Sequence, residues 1–153
     1  MNTRIFVLIV LLLTFSSPSR LRASDDCSRT AGTAIYSNAF AHEETGDLLG
    51  YELAIKRHPD STVEAFLFVY EGGPSEPIVL PGRLSGRNLH IQGDWVQRLI
   101  EYPTKKETVK TLSVEIEGVL NPTLFRGEIM IGGTAEKESV RLKRVTNTWL
   151  CKR

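Results

Sequence analysis

Glu44-Thr45-Gly46-Asp47-Leu48-Leu49-Gly50-Tyr51-Glu52-Leu53-Ala54-Ile55 holds a turn signal followed by an alternating run. Gly46 accepts a positive φ without steric cost, and an aspartate such as Asp47 bonds readily to nearby backbone. After the turn, Tyr51, Leu53 and Ile55 share one face, and Glu52, Ala54 and Lys56 the other. A period of two marks a half-buried strand. Residues 34–40 supply the returning strand, so the segment predicts a β-hairpin.

The rhythm recurs along the chain. Strands are expected at 30–40, 48–57, 62–70, 78–84, 88–92, 95–100, 109–117, 124–131 and 139–145. Residues 95–100 also fit a short helix, with Trp95, Val96, Leu99 and Ile100 on one face. His58-Pro59-Asp60-Ser61, Glu71-Gly72-Gly73-Pro74, Ser85-Gly86-Arg87 and Gly132-Gly133 punctuate the runs as turns. In 62–70, Val63, Ala65, Leu67 and Val69 alternate with Glu64, Phe66, Phe68 and Tyr70, so both faces are apolar. Such a strand packs inward and also outward or against a covering segment. Short strands at this spacing, with little helix, predict an all-β fold. The expected form is a small closed or nearly closed antiparallel barrel of about eight strands, with a β-sandwich as the alternative. Sequential hairpins favour the barrel, because closure leaves no sheet edge exposed.

Residues 1–23 have the form of a secretory signal peptide. Arg4 supplies the positive start, Ile5 to Leu13 the apolar core, and Ser16-Ser17-Pro18-Ser19 the small, turn-prone break. The apolar core is shorter than the roughly 20 residues of a membrane helix. Residues 24–153 then form a single domain, secreted or periplasmic, with no membrane span after removal of the leader. The nineteen basic side chains less Arg4, Arg20 and Arg22 leave sixteen against eighteen acidic ones, a net of −2. Near-neutrality excludes the electrostatic footprint of a nucleic-acid binder.

Two cysteines, Cys27 and Cys151, stand at the ends of the mature chain. In an oxidising compartment an even count predicts that they pair. Closing a loop of that length restricts the unfolded chain by on the order of 4–5 kcal/mol.

Motifs for catalysis are missing. There is no G-x-S-x-G, no HExxH spacing among His42, His58 and His90, and no Lys-Ser/Thr after the glycine pairs. His42, Glu43, Glu44 and Asp47 crowd the first turn without the ligand rhythm of a calcium loop, which points to a solvated tip. Glu115 with Glu117 and Glu136 with Glu138 are i, i+2 pairs, each expected on an outer strand face. No metal or cofactor is expected.

Ser37-Asn38 followed by Gly46-Asp47-Leu48-Leu49-Gly50-Tyr51 resembles the first hairpin of avidin- and lipocalin-like barrels. The chain is also similar to a group of small exported bacterial β-proteins that share a Gly-Asp-x-x-Gly-x-Glu hairpin and a late Leu-Lys-Arg strand, here Leu142-Lys143-Arg144. The second resemblance implies no activity. The first implies a ligand whose polar head meets Ser37 and Asn38. With the aromatics read as facing inward, the expected ligand-lining set is Ser37, Asn38, Tyr51, Phe66, Phe68, Trp95 and Phe125. The function expected is binding of a small apolar or amphipathic molecule in the barrel mouth. The alternative is a module that binds an envelope or extracellular protein through the loops at 71–77 and 102–108.

Overall fold

The alternating runs become nine strands: β1 (Ala34–Ser37), β2 (Phe40–Ala41), β3 (Leu48–Arg57), β4 (Thr62–Gly72), β5 (Ile78–Ser85), β6 (Asn88–Glu101), β7 (Lys106–Leu120), β8 (Leu124–Ile131) and β9 (Glu138–Val145). A 3-10 turn, Trp149–Cys151, follows. The computed structural model describes residues 32–151 apart from 102, 104 and 133–135. The expected signal peptide and Cys27 lie outside the described residues.

From β3 onward each strand is antiparallel to its neighbour in sequence, and β1 pairs with both β9 and β3. The sheet therefore closes into an eight-stranded up-and-down barrel with β2 as an extra strand, and not into a sandwich. β2 prolongs β1 along β3. Ser37 faces Glu52 and Phe40 faces Leu49, so the register passes the gap without an inserted residue. Asn38 bridges that gap. Its N–H donates to the Tyr51 carbonyl at 3.1 Å, while its side-chain oxygen accepts the Tyr51 N–H at 2.7 Å. Gly50 lies opposite at φ +105°, where an added Cβ would stand 2.9 Å from the Asn38 side chain.

Parity separates two apolar layers. Leu53, Ile55, Val63, Ala65, Leu67, Leu80, Leu89, Ile91, Val114, Ile116, Phe125, Ile129 and Leu142 fill the interior and are buried. Ile35, Leu48, Ala54, Phe66, Phe68 and Tyr70 form a second cluster on the opposite face of β1, β3 and β4, packed against Val145 and Trp149. This is the cover that the two-sided β4 required. It corrects the expectation that Phe66 and Phe68 face the interior: both belong to the outer cluster, with Phe68 stacked on Tyr70 at 6.3 Å between ring centroids.

Phe125 does face inward, but as filler. Gly118 and Gly127 pair across β7 and β8. A Cβ on either would meet the Phe125 ring, at 2.7 Å and 2.6 Å respectively, and also the partner strand's backbone. The two glycines let the ring lie over the strands within the buried core.

β6 also differs from expectation. Residues 88–101 run as one strand, without a helix at Trp95 and without a turn at Gly93. Gly93 answers a packing need, since a Cβ there would stand 2.8 Å from the Leu80 side chain. β5 bonds to β6 only through Asn88 to Ile91, and β8 bonds to β7 only from Val114 onward. The far halves of β6 and β7 pair with each other alone, as a two-stranded ribbon that runs past the barrel end. Lys106 to Thr108, expected in a loop, lie in that ribbon.

Candidate functional site

At each end of the barrel the inward-facing parity continues past the buried core into a final layer. At the end where β4 finishes and β9 begins, that layer comprises Tyr51, Val69, Glu71, Trp95, Gln97, Leu112, Ile129, Ile131 and Glu138, joined by Glu136 from the preceding loop. Together they line a concavity of about 370 Å³. Tyr51, Val69, Trp95 and Ile131 pack on the core beneath yet remain partly exposed. The Tyr51 hydroxyl donates to Glu138 Oε2 at 2.6 Å. Burial first, then that hydrogen bond and the negative field of Glu138 and Glu71, push the Tyr51 phenol well above the usual tyrosine range. The hydroxyl therefore stays protonated and donating across ordinary pH.

The other end is built differently. Tyr36 donates to the Asn121 carbonyl at 3.0 Å, and Arg144 lies 5.3 Å from the centroid of the Tyr36 ring. Arg57, Arg87 and Arg144 are among the residues around this depression, and no acidic side chain lines it. A third concavity, of about 600 Å³ and on the barrel wall, follows the seam where β5 parts from β6, between Val79, Pro81 and Gln92. It lacks aromatic side chains, and no inward-facing layer opens into it except through Val63 and Leu80, which are buried.

Of the residues expected to line a ligand, the structure brings Tyr51 and Trp95 together at the mouth. Ser37 and Asn38 are engaged by backbone: Ser37 Oγ accepts the Ala39 N–H at 3.0 Å, and Asn38 serves the Tyr51 amide. Glu71, Glu136 and Glu138 join the mouth without having been expected there. Glu136 and Glu138, expected on an outer face, continue the inward parity of Val140 and Leu142. Extending that alternation backward along β9 is the signal that locates Glu138. Glu71 extends the inward alternation of Leu67 and Val69 in the same way along β4.

Two other polar groups have structural work. Glu52 is fully buried on the outer face, where its carboxylate accepts the Tyr70 hydroxyl at 2.7 Å and the Trp149 N–H at 2.8 Å. It anchors the C-terminal segment over Phe66 and Phe68. His90, Glu115 and Glu117 hold three donor atoms within 4.8 Å of one another. The Lys137 ammonium lies 3.5 Å from Glu117 and 3.9 Å from Glu115, so a cation already serves these carboxylates.

Fold and mouth define a class: a small up-and-down β-barrel with a buried apolar core and a concave, acidic and aromatic end. Comparison with family models, curated proteins and solved structures finds no match to this chain. Among the described residues no helix is long and apolar enough to cross a membrane.

Proposed function

We propose that this protein is an exported barrel that holds a small apolar or amphipathic molecule in its mouth. The observation that supports the reading is the partly exposed apolar layer of Tyr51, Val69, Trp95 and Ile131 above the buried core. Concave sites lined by aromatic and aliphatic groups with a few convergent polar atoms are where small molecules bind. Native mass spectrometry of protein purified from its own host tests it. A bound mass that Trp95→Ala removes is the expected result; no bound mass, together with no saturable binding of added amphiphiles, rejects the reading.

Export and a Cys27–Cys151 disulfide belong to the same proposal. Their support is the even cysteine count and the absence of a free cysteine among the described residues. Cys151 sits in the turn that covers the outer cluster, with Thr148 Oγ1 at 3.0 Å from its sulfur.

A second reading is a protein-binding module, and the β6–β7 ribbon favours it. Val96 and Val109 are exposed there, and the outer edges of the ribbon have no strand partner among the described residues. Such edges accept an added strand. Crosslinking that recovers a partner from wild type but not from Val96→Asp/Val109→Asp supports this reading; equal recovery from both removes it.

A further inference from the structure

We propose that the mouth selects organic cations, an ammonium group being held among Glu71, Glu136 and Glu138 while the apolar body lies against Trp95 and Ile131. This rests on the reading of the mouth as a small-molecule site and adds the charge of the ligand.

Charge distribution carries the argument. Among the described residues lining the mouth there are three carboxylates and no lysine, arginine or histidine. The ion pairs of the described residues use other acids: Lys56 with Glu64, Arg98 with Glu107, and Lys137 with Glu115, Glu117 and Glu128. Lys137 stands between Glu136 and Glu138 in sequence, yet its ammonium turns to the outer acids and leaves the mouth unneutralised. Three like charges around one concavity repel each other, and a bound cation relieves that repulsion. An anion meets all three.

The local chemistry agrees. The Tyr51 hydroxyl donates a hydrogen bond to Glu138 Oε2, which fixes one carboxylate oxygen and leaves the others as acceptors. Trp95 and Tyr51 are the two aromatic side chains of the lining, and aromatic faces attract ammonium groups. The opposite end, with Arg57, Arg87 and Arg144 and no acid among the described lining residues, disfavours the same ligand, so one barrel end is singled out.

The test compares three probes with one body: 2-phenylethylammonium, 2-phenylethanol and 3-phenylpropanoate, titrated calorimetrically into the full oxidised chain. Three exposed ion pairs of ordinary strength predict that the cation binds about tenfold tighter than the alcohol at low salt. Raising NaCl from about 20 mM to about 500 mM should reduce that advantage to about two- or threefold. The triple variant Glu71→Gln/Glu136→Gln/Glu138→Gln should abolish the advantage and leave the alcohol's affinity unchanged. All three glutamates are exposed, and glutamine at 138 keeps an acceptor for Tyr51, so the variant is expected to fold. A cation no tighter than the alcohol, or an advantage that survives the triple variant, overturns the inference. If the alcohol still binds in that case and Trp95→Ala weakens it, the mouth remains a ligand site and only its charge preference is lost. If no probe binds, both readings fall together.

Discussion

Replacing Glu52 by leucine should destabilise the protein by about 4 kcal/mol, although the side chain lies far from the mouth. Its carboxylate is fully buried and accepts two donors, the Tyr70 hydroxyl at 2.7 Å and the Trp149 N–H at 2.8 Å. Leucine takes this acceptor from both. A buried donor left unpaired costs about 1–3 kcal/mol, and hydrogen bonds to a charged acceptor lie toward the upper end of that range. Relief from burying a charge offsets part of the sum. For a domain of this size about 4 kcal/mol lowers the melting temperature by about 15 °C. Tyr70→Phe removes one donor without stranding a group and should cost about 1.5 kcal/mol. Urea unfolding followed by circular dichroism, on Glu52→Leu, Tyr70→Phe and the double variant, measures the three values. The double-mutant cycle should show coupling of about 1 kcal/mol or more, because the residues share one hydrogen bond. Glu52→Leu should also increase binding of a hydrophobic dye, as the covering segment loosens over Phe66 and Phe68. A Glu52→Leu loss below about 1 kcal/mol, or no coupling with Tyr70, would refute the idea that this carboxylate anchors the C-terminal segment.

Other expectations follow from the same geometry. Gly127→Ala should cost about 3 kcal/mol or more by thermal denaturation, since its Cβ has neither backbone nor ring space, while Gly73→Ala, with nothing within 4 Å, should stay within about 0.5 kcal/mol. Asn38→Ala should cost about 1 kcal/mol and speed hydrogen exchange at the Tyr51 amide, which loses its 2.7 Å acceptor. Because Tyr51 ionises above the usual range when folded, its contribution is complete below the unfolded value near pH 10 and is lost as pH rises toward the folded value. Tyr51→Phe should therefore flatten the alkaline fall in stability, measured by urea midpoints from pH 8 upward. Thiol titration of unfolded, unreduced protein should find no free SH; two reactive thiols would reject the disulfide proposal.

Much of the barrel was legible in residue order alone. Alternation at Tyr51, Leu53 and Ile55, at Leu112, Val114 and Ile116, and at Val140 and Leu142 placed strands and told inward from outward positions, because side chains of a strand change face at every residue. The two apolar faces of β4 announced a cover, although not what the cover was. The break expected between 92 and 95 was wrong: the small size of Gly93 serves the Leu80 side chain across a seam, a contact between residues thirteen apart that no local pattern encodes. Ser37 and Asn38 misled likewise. Short polar side chains beside a strand serve a ligand or the backbone equally well, and here the interrupted ladder takes them.

The order of residues by itself determined most of the strands and hairpin turns and the alternation along each strand, since these depend on backbone sterics and a two-residue period. Only the closed ring decided which ends meet. Glu71, Glu136 and Glu138 come from β4, the loop before β9 and β9 itself, and they converge with Tyr51 and Trp95 because closure brings four separate chain segments to one rim. Likewise Glu52 and Trp149, 97 residues apart, meet only because β1 lies between β3 and β9 and the chain end folds back across them.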